Sequence, residues 1–568
     1  MKKDLKLYDV HKISNVQELL LKSADKHGGK IAFEDLNNTP IPKLTYSELL
    51  SNVLKLGNAL RQLGIEERTH IALIGENRVQ WALSYFTLMM FNYVVVPIDK
   101  NLSQNEIYNV IYESDAETVI FSESYSSAFI GNNSVLKNIK HFICMDSSCG
   151  DSKYLSMKHM IDSHDKLPKA ELPEINSNDL AEINFTSGSL GRAKGVKLSQ
   201  GNIAANIVAM VSMLLITPDD RFLSVLPIHH TYECTCGMLC PIYSGASVHF
   251  ARNLKTIVDD LQKVKATLFL GVPLLYDKMY KKISKSISED KVKSMLVPAL
   301  AKATDLTSKL GLKNLKRKVF AELHEKFGGA IRVFIAGGAA PDPLVAKGLR
   351  QFGFNFVQGY GLTETSPILA LNRLDAFKDD AAGIPLPNVE IKINNPDETG
   401  IGEIWAKGPS IMLGYYNNEE ATKETFEGDW FKTGDLGYFD DEGFLYISGR
   451  KKNVIISKTG KNVFPEEIED LLNRSPYILE SLVYGKKDEK QSEIISAKIV
   501  SDSETFIEYA ESNKIEITVE LINKIITEEI EKINKELPIY KRVVNFGIQD
   551  EELQKTTTHK IKRYANNV

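Results

Sequence analysis

Cysteine is scarce in this chain. Five residues in 568 are too few for a disulfide framework, and the odd number is in keeping with a reducing compartment. No long basic stripe is present, and a net charge of −5 offers a nucleic acid nothing to bind. The start, MKKDLKLYDVHKISNVQELL, lacks the apolar core and small-residue cleavage site of a signal peptide. The stretch WALSYFTLMMFNYVVVPI carries no charge over 18 residues, 81–98. Asn92, Pro97 and the change to β-branched residues near Asn92 make it a buried helix running into a buried strand, not a membrane span. Peripheral contact with a membrane stays open. The Walker spacing, Gly-Lys-Ser/Thr after four spacer residues, is also missing, which argues against a kinase or P-loop NTPase.

What is present exceeds one hydrophobic core, so at least two domains are expected. Hydrophobic content of 43% with 25% charged residues suits a soluble globular chain. Thr45 and Glu48 form a capping-box pattern ahead of a helix with Leu49, Leu50, Val53, Leu56, Leu60 and Leu63 on one side. Short apolar strands follow: HIALIG, YVVVPI, TVIFS, HFICM, FLSVLP, SVHFA, ATLFLGVP, RVFIAGG and NFVQGYG. Helical stretches separate many of them, which predicts an α/β fold of mostly parallel sheets covered on both faces. Ligands on such sheets bind at the carboxyl ends of strands. The Lys-rich segment 277–327 reads as helical with a solvated face. Past about residue 449 short strands and one amphipathic helix, TVELINKIITEEIEKINKEL, predict a small, compact α+β domain. The expected domains are therefore 1–449 and 450–568.

The segment FTSGSLGRAKGVKLSQGN, 185–202, follows a short apolar strand. Gly188 and Gly191 let the backbone approach an anion, with NH groups converging on phosphate oxygens. Hydroxyls of Thr186, Ser187 and Ser189 add donors, and Lys194 adds a mobile positive charge. This is a loop suited to a polyphosphate. IAGGAAP and GYGLTET also follow strands directly, so all three could meet in one crevice.

Three further runs follow in order: VQGYGLTETSP (357–367), KTGDLGYFDDEGFLYISGRKKNVIISKTGKNVFPEEIE (432–469) and ELQKTTTHKIKR (552–563). Together with the loop they resemble the adenylate-forming (AMP-binding) superfamily over nearly the whole chain. The wording of 432–469 looks most like the long-chain fatty acyl-CoA synthetases. The resemblance implies ATP, Mg²⁺ and CoA as reactants or cofactors. It implies that Glu364 holds the metal, Thr363 contacts the α-phosphate, and Tyr360, followed by Gly361, stacks on adenine. Asp435 and Arg450 would serve as the ribose pair, a carboxylate accepting from both hydroxyls beside a guanidinium that donates. Lys560 would be the adenylation lysine, bridging a substrate carboxylate and an ATP phosphate. Lys452 matches the hinge, and Gly460 would line a passage for the thiol arm of CoA.

LPIHHTYECTCGMLC, 226–240, has no CxxC pair, and its cysteines read as small buried hydrophobes rather than zinc ligands. The resemblance places the histidine pair at the substrate carboxylate, with His230 the substrate residue and Gly337 and Gly338 backbone neighbours of the acyl-adenylate. The chain departs from the family pattern at Leu190, which loses a donor, at Ala193 and Gln200, and at Gln554 and His559 near the lysine.

The expected activity is ATP-dependent activation of a medium- or long-chain carboxylic acid through an acyl-adenylate, then transfer to CoA with release of AMP, in a cytoplasm and within fatty-acid metabolism. Rival readings are release of the adenylate, delivery to a carrier protein, or a degenerate nucleotide-binding relative.

Overall fold

The computed structural model describes all residues except 1–4, 38, 131–133, 148–150, 152, 187–192, 289–314, 459, 488–492, 556–560 and 567–568. The fold is mixed α/β, and the chain groups into two compact units. The first takes residues 1–391, 406–431 and 441–445; the second takes 392–405, 432–440 and 446–568.

Two large sheets build the first unit. An eight-stranded sheet has at its centre the parallel strands Val94–Ile98, His70–Ile74 and Thr118–Phe121. On one side Leu180–Thr186 runs parallel, Lys194–Ser199 pairs antiparallel with it, and Gly414–Tyr415 pairs antiparallel with Lys194–Ser199 in turn. A nine-stranded sheet has the parallel run Asn355–Gly361, Val333–Ala336, Leu268–Gly271, Arg221–Ser224, Ser247–Phe250 and Ile31–Asp35.

Strand side chains alternate between faces, so the composition of the two faces tells what covers each. Ile71 and Leu73 join one apolar cluster, while Ala72 and Ile74 join another. Val333 and Ile335 likewise face one cluster and Phe334 and Ala336 a second. Both sheets are therefore covered on both faces, as continuous apolar strands require.

The uncharged stretch 81–98 resolves as expected. Helix Val79–Met90 is buried at every residue. Asn92 turns the chain at φ 56°, and strand Val94–Ile98 is again wholly buried. Among the described residues no helix is long and apolar enough to cross a membrane. The Thr45 cap is also present, with the reciprocal Glu48 bond, at the start of helix Tyr46–Gln62.

The second unit has its own core around Val463, Ile468, Ile478, Val483, Ile499 and Ile526. Strands Ile478–Lys487 and Glu493–Ser501 pair antiparallel, and Asn545–Gln549 joins them in parallel. Three helices cover this sheet's core where the sequence suggested one: Pro465–Leu472, Ser503–Asn513 and Val519–Glu536. The first two are short, and their apolar positions, Ile468 and Leu472 or Phe506 and Ala510, make only one turn of periodicity each. Cys234, Cys236 and Cys240 are free and buried, whereas Cys144 is disulfide-bonded, a bond the composition did not foreshadow.

Candidate active site

Strand Asn355–Gly361 ends in a tight reversal: a 3-10 turn, Thr363–Thr365, then Ser366 at φ 68° and a cis bond to Pro367. A Cβ on Gly361 would lie 1.8 Å from the Pro367 carbonyl oxygen, so this glycine is demanded by the reversal itself. The turn is held from outside. Asn206 donates through Nδ2 to the carbonyls of Thr365 (3.2 Å) and Ile368 (2.8 Å). Ser366 Oγ donates to the Ser410 carbonyl at 2.9 Å, and the Met412 N–H donates to that of Glu364 at 2.9 Å.

With its backbone fixed, Glu364 presents a half-buried carboxylate. The Tyr415 hydroxyl donates to Oε1 at 3.0 Å, and among the described residues no cation pairs with it. A hard oxygen donor, partly open and not neutralised, suits Mg²⁺, which commonly uses one or two protein carboxylates with phosphates and water. No group of three His, Cys, Asp or Glu placed to hold a metal occurs among the described residues. Thr363 is buried beside Glu364, and Tyr360 is half-buried against the main core.

The glycine segment joins two antiparallel strands. Thr186 and Lys194 face each other across their ends, and Lys194 Nζ sits 4.8 Å from the centre of the Tyr415 ring. Ser187, Gly188, Ser189, Leu190 and Gly191 lie outside the described residues. Tyr415 thus touches the root of the glycine segment with its ring and Glu364 with its hydroxyl.

His229 and His230 point to different tasks. His229 is buried, with Nε2 3.6 Å from Asp99 Oδ2, and Asn184 Nδ2 donates to its carbonyl at 3.1 Å. Burial pushes the His229 imidazole down, opposed by the nearby Asp99 carboxylate. His230 is half-buried, and the Tyr232 N–H donates to its Nδ1 at 3.4 Å.

Gly337 and Gly338 follow strand Val333–Ala336. A Cβ on Gly337 would lie 2.5 Å from the Tyr232 ring, while Gly338 has φ 84°. Tyr232 and Cys236 wall a cavity with Met210, Leu214, Ile335 and Leu371. Its volume is about 30 Å³, close to one water's share of the liquid. Its lining is almost wholly apolar.

In the second unit, strand Leu445–Arg450 pairs with Trp430–Phe439. Arg450 Nε lies 2.8 Å from Oδ1 of the buried Asp435. Lys452 is exposed on a 3-10 turn. Gly460 closes the hairpin between Ile455–Ile456 and Asn462–Val463 at φ 75°, with open space where a side chain would stand. Lys560 and His559 lie outside the described residues. The chain on either side is anchored: Lys555 pairs with Glu480 at 2.6 Å, and Arg563 grips Glu469 at 2.7 Å through both carboxylate oxygens.

Sequence reasoning missed Tyr415, Asn206 and Asn184. Each acts through a contact with residues far away in the chain, and none stands in a pattern with its partner. Only the Gly-Tyr-Tyr wording at 414–416, an aromatic pair after glycine in a polar stretch, offered a signal.

A family model described as AMP-binding enzyme matches residues 20–416. The chain is 28% identical over 488 residues to the long-chain-fatty-acid–CoA ligase FadD15 of Mycobacterium bovis, covering 83% of this chain and 79% of that one. Among solved structures, the anthranilate CoA ligase AuaEII in complex with anthranoyl-AMP superposes with a TM-score of 0.77 at 22% identity, covering 99% of this chain and 97% of that one. The O-succinylbenzoate CoA synthetase of Bacillus subtilis, in complex with ATP and magnesium, gives 0.73 at 22%, covering 96% and 98%.

Proposed function

The chain belongs to the AMP-binding enzyme family and is an AMP-forming acid–thiol ligase, and we propose that it activates a medium- or long-chain fatty acid and passes the acyl group to CoA. The observation that carries this reading is the Glu364 carboxylate, fixed by its turn, paired with no cation among the described residues, and linked through Tyr415 to Lys194 at the root of the glycine segment. That is an arrangement for polyphosphate, with a cation and a metal-seeking carboxylate on either side of one ring.

A carboxylate does not react directly with a thiol, because oxide would have to leave. In the proposed first step a carboxylate oxygen attacks the α-phosphorus of ATP, and the bond to pyrophosphate breaks. Such a step needs in-line positioning and charge stabilisation more than covalent help. Thr186, Ser187, Gly188, Ser189, Gly191 and Lys194 would hold the phosphates, Thr363 the α-phosphate, and Tyr360 with Gly361 the adenine. Mg²⁺ bound at Glu364 would neutralise phosphate charge. Lys560 would stand between the two anions as they approach. His230 would steady the acid near Gly337 and Gly338. Asp435 and Arg450 would take the ribose.

In the second step the CoA thiol, losing its proton, attacks the acyl carbon, and AMP departs with the electrons of the C–O bond. We place the functional boundary after residue 449, with the small domain turning at Lys452 so that Gly460 borders the thiol's path. The apolar cavity beside Tyr232 supports an apolar acyl chain. At about 30 Å³ it must widen to take one, and Tyr232 and Leu214 are among the side chains that wall it. A cytoplasm supplies both ATP and CoA, which supports that location.

Pyrophosphate release across a panel of carboxylic acids, with CoA, with a carrier protein, or with neither, tests the reading. Release is expected with medium or long acids, and thioester only when CoA is present. No release with any acid overturns it, and thioester only with carrier protein moves the acceptor.

A further inference from the structure

Tyr415 stands between the two charges that the proposed function assigns to ATP. It is buried and rigid. Its backbone pairs with Val196 on the strand that carries Lys194, and its N–H donates to Thr422 Oγ1 at 2.9 Å. The neighbouring backbone repeats the link: the Leu413 N–H donates to the Lys197 carbonyl, the Tyr416 N–H to that of Gly195, and the Met412 N–H to that of Glu364. Segment 412–416 therefore ties the root of the glycine segment to the Glu364 turn.

We infer that Tyr415 is a positioning residue for the metal carboxylate: its hydroxyl takes Oε1 of Glu364 and leaves Oε2 for the ion, while its ring holds Lys194. The inference rests on the metal role given to Glu364 above. A glutamate side chain left free loses rotamer freedom when it takes up an ion, and a phenol that already holds one oxygen removes part of that cost. The ring also offers Lys194 a face that attracts its ammonium without neutralising it, so the charge stays available to phosphate. A tyrosine kept only for packing would leave its hydroxyl in solvent or on a backbone carbonyl. Here it meets a half-buried carboxylate 51 positions earlier in the chain.

The test uses the intact protein and ATP without any carboxylic acid, so no turnover is needed. Tyr415→Phe keeps the ring and removes the hydroxyl. Binding of Mn²⁺–ATP, followed by electron paramagnetic resonance of the Mn²⁺, should weaken about 10- to 100-fold, the scale of one hydrogen bond to a charged group. Metal-free ATP should bind as in the parent protein, and the thermal transition should stay near the parent's. Tyr415→Leu, which also removes the ring, should in addition weaken metal-free ATP. Glu364→Gln is run in parallel, and adding Tyr415→Phe to it should cause no further loss. If Tyr415→Phe binds Mn²⁺–ATP normally while Glu364→Gln does not, the positioning role is wrong and the proposed function stands. If Glu364→Gln also binds normally, the metal role falls and this inference with it.

Discussion

Arg450 Nε lies 2.8 Å from Asp435 Oδ1, and the pair is built on two neighbouring strands, Trp430–Phe439 and Leu445–Arg450. Asp435 is buried while Arg450 is partly open, so the guanidinium covers a carboxylate that burial alone would penalise. In the proposed function a ribose would add its hydroxyls to this carboxylate.

Asp435→Asn should therefore raise the KM for ATP about 10- to 100-fold, since a charge-assisted hydrogen bond is worth about 1.5–3 kcal/mol. The KM for the carboxylic acid should hardly move. Steady-state kinetics with each substrate varied in turn checks this, and equal changes in both KM values would remove Asp435 from the ribose.

The two half-reactions should separate by mutation. Lys560→Ala should lose adenylate formation yet convert supplied acyl-adenylate and CoA to thioester. Gly460→Trp should make acyl-adenylate and fail with CoA. Gly460 has φ 75°, where any side chain is strained, so Gly460→Ala is the needed control. It carries the same backbone strain without the bulk and should keep most thioester formation. Full adenylation by Lys560→Ala would mean the lysine is misplaced. Lys555 is then a poor substitute, because Glu480 and Glu552 already hold it.

Tyr232 should limit acyl length. Its hydroxyl donates to the Ile335 carbonyl at 3.2 Å, and its ring walls the small apolar cavity. Tyr232→Ala should shift kcat/KM toward longer acids while costing about 3–5 kcal/mol in stability, the usual range for deleting a buried aromatic ring. An unchanged chain-length profile in a folded Tyr232→Ala protein would place the acyl chain elsewhere.

Burial pushes the Glu233 carboxyl up to about 8, opposed by the Ser224 hydroxyl. The folded protein then keeps a proton that the unfolded chain releases above its ordinary value of 4.5. Stability contributed by this group is full below 4.5 and is lost as pH rises to about 8. Glu233→Gln should raise the apparent Tm at pH 8 clearly more than at pH 5. Equal shifts at both pH values would show that Glu233 is ionised in the folded state.

What the sequence determined by itself was local. The capping box at Thr45, the buried helix and strand of 81–98, and the strand ends before GGAAP and GLTET depend on neighbours within a few positions. Periodicity and side-chain chemistry state such things directly. The short helices Pro465–Leu472 and Ser503–Asn513 escaped because one turn of apolar residues carries no period. Only the tertiary structure decided that Tyr415 reaches both Lys194 and Glu364, and that Asn206 and Ser410 clamp the Glu364 turn. It also decided that Tyr232 packs against Gly337, since a Cβ there would come 2.5 Å from the ring. Contacts between residues 44 to 221 positions apart are set by how strands order within a sheet, and no pattern along the chain records that order.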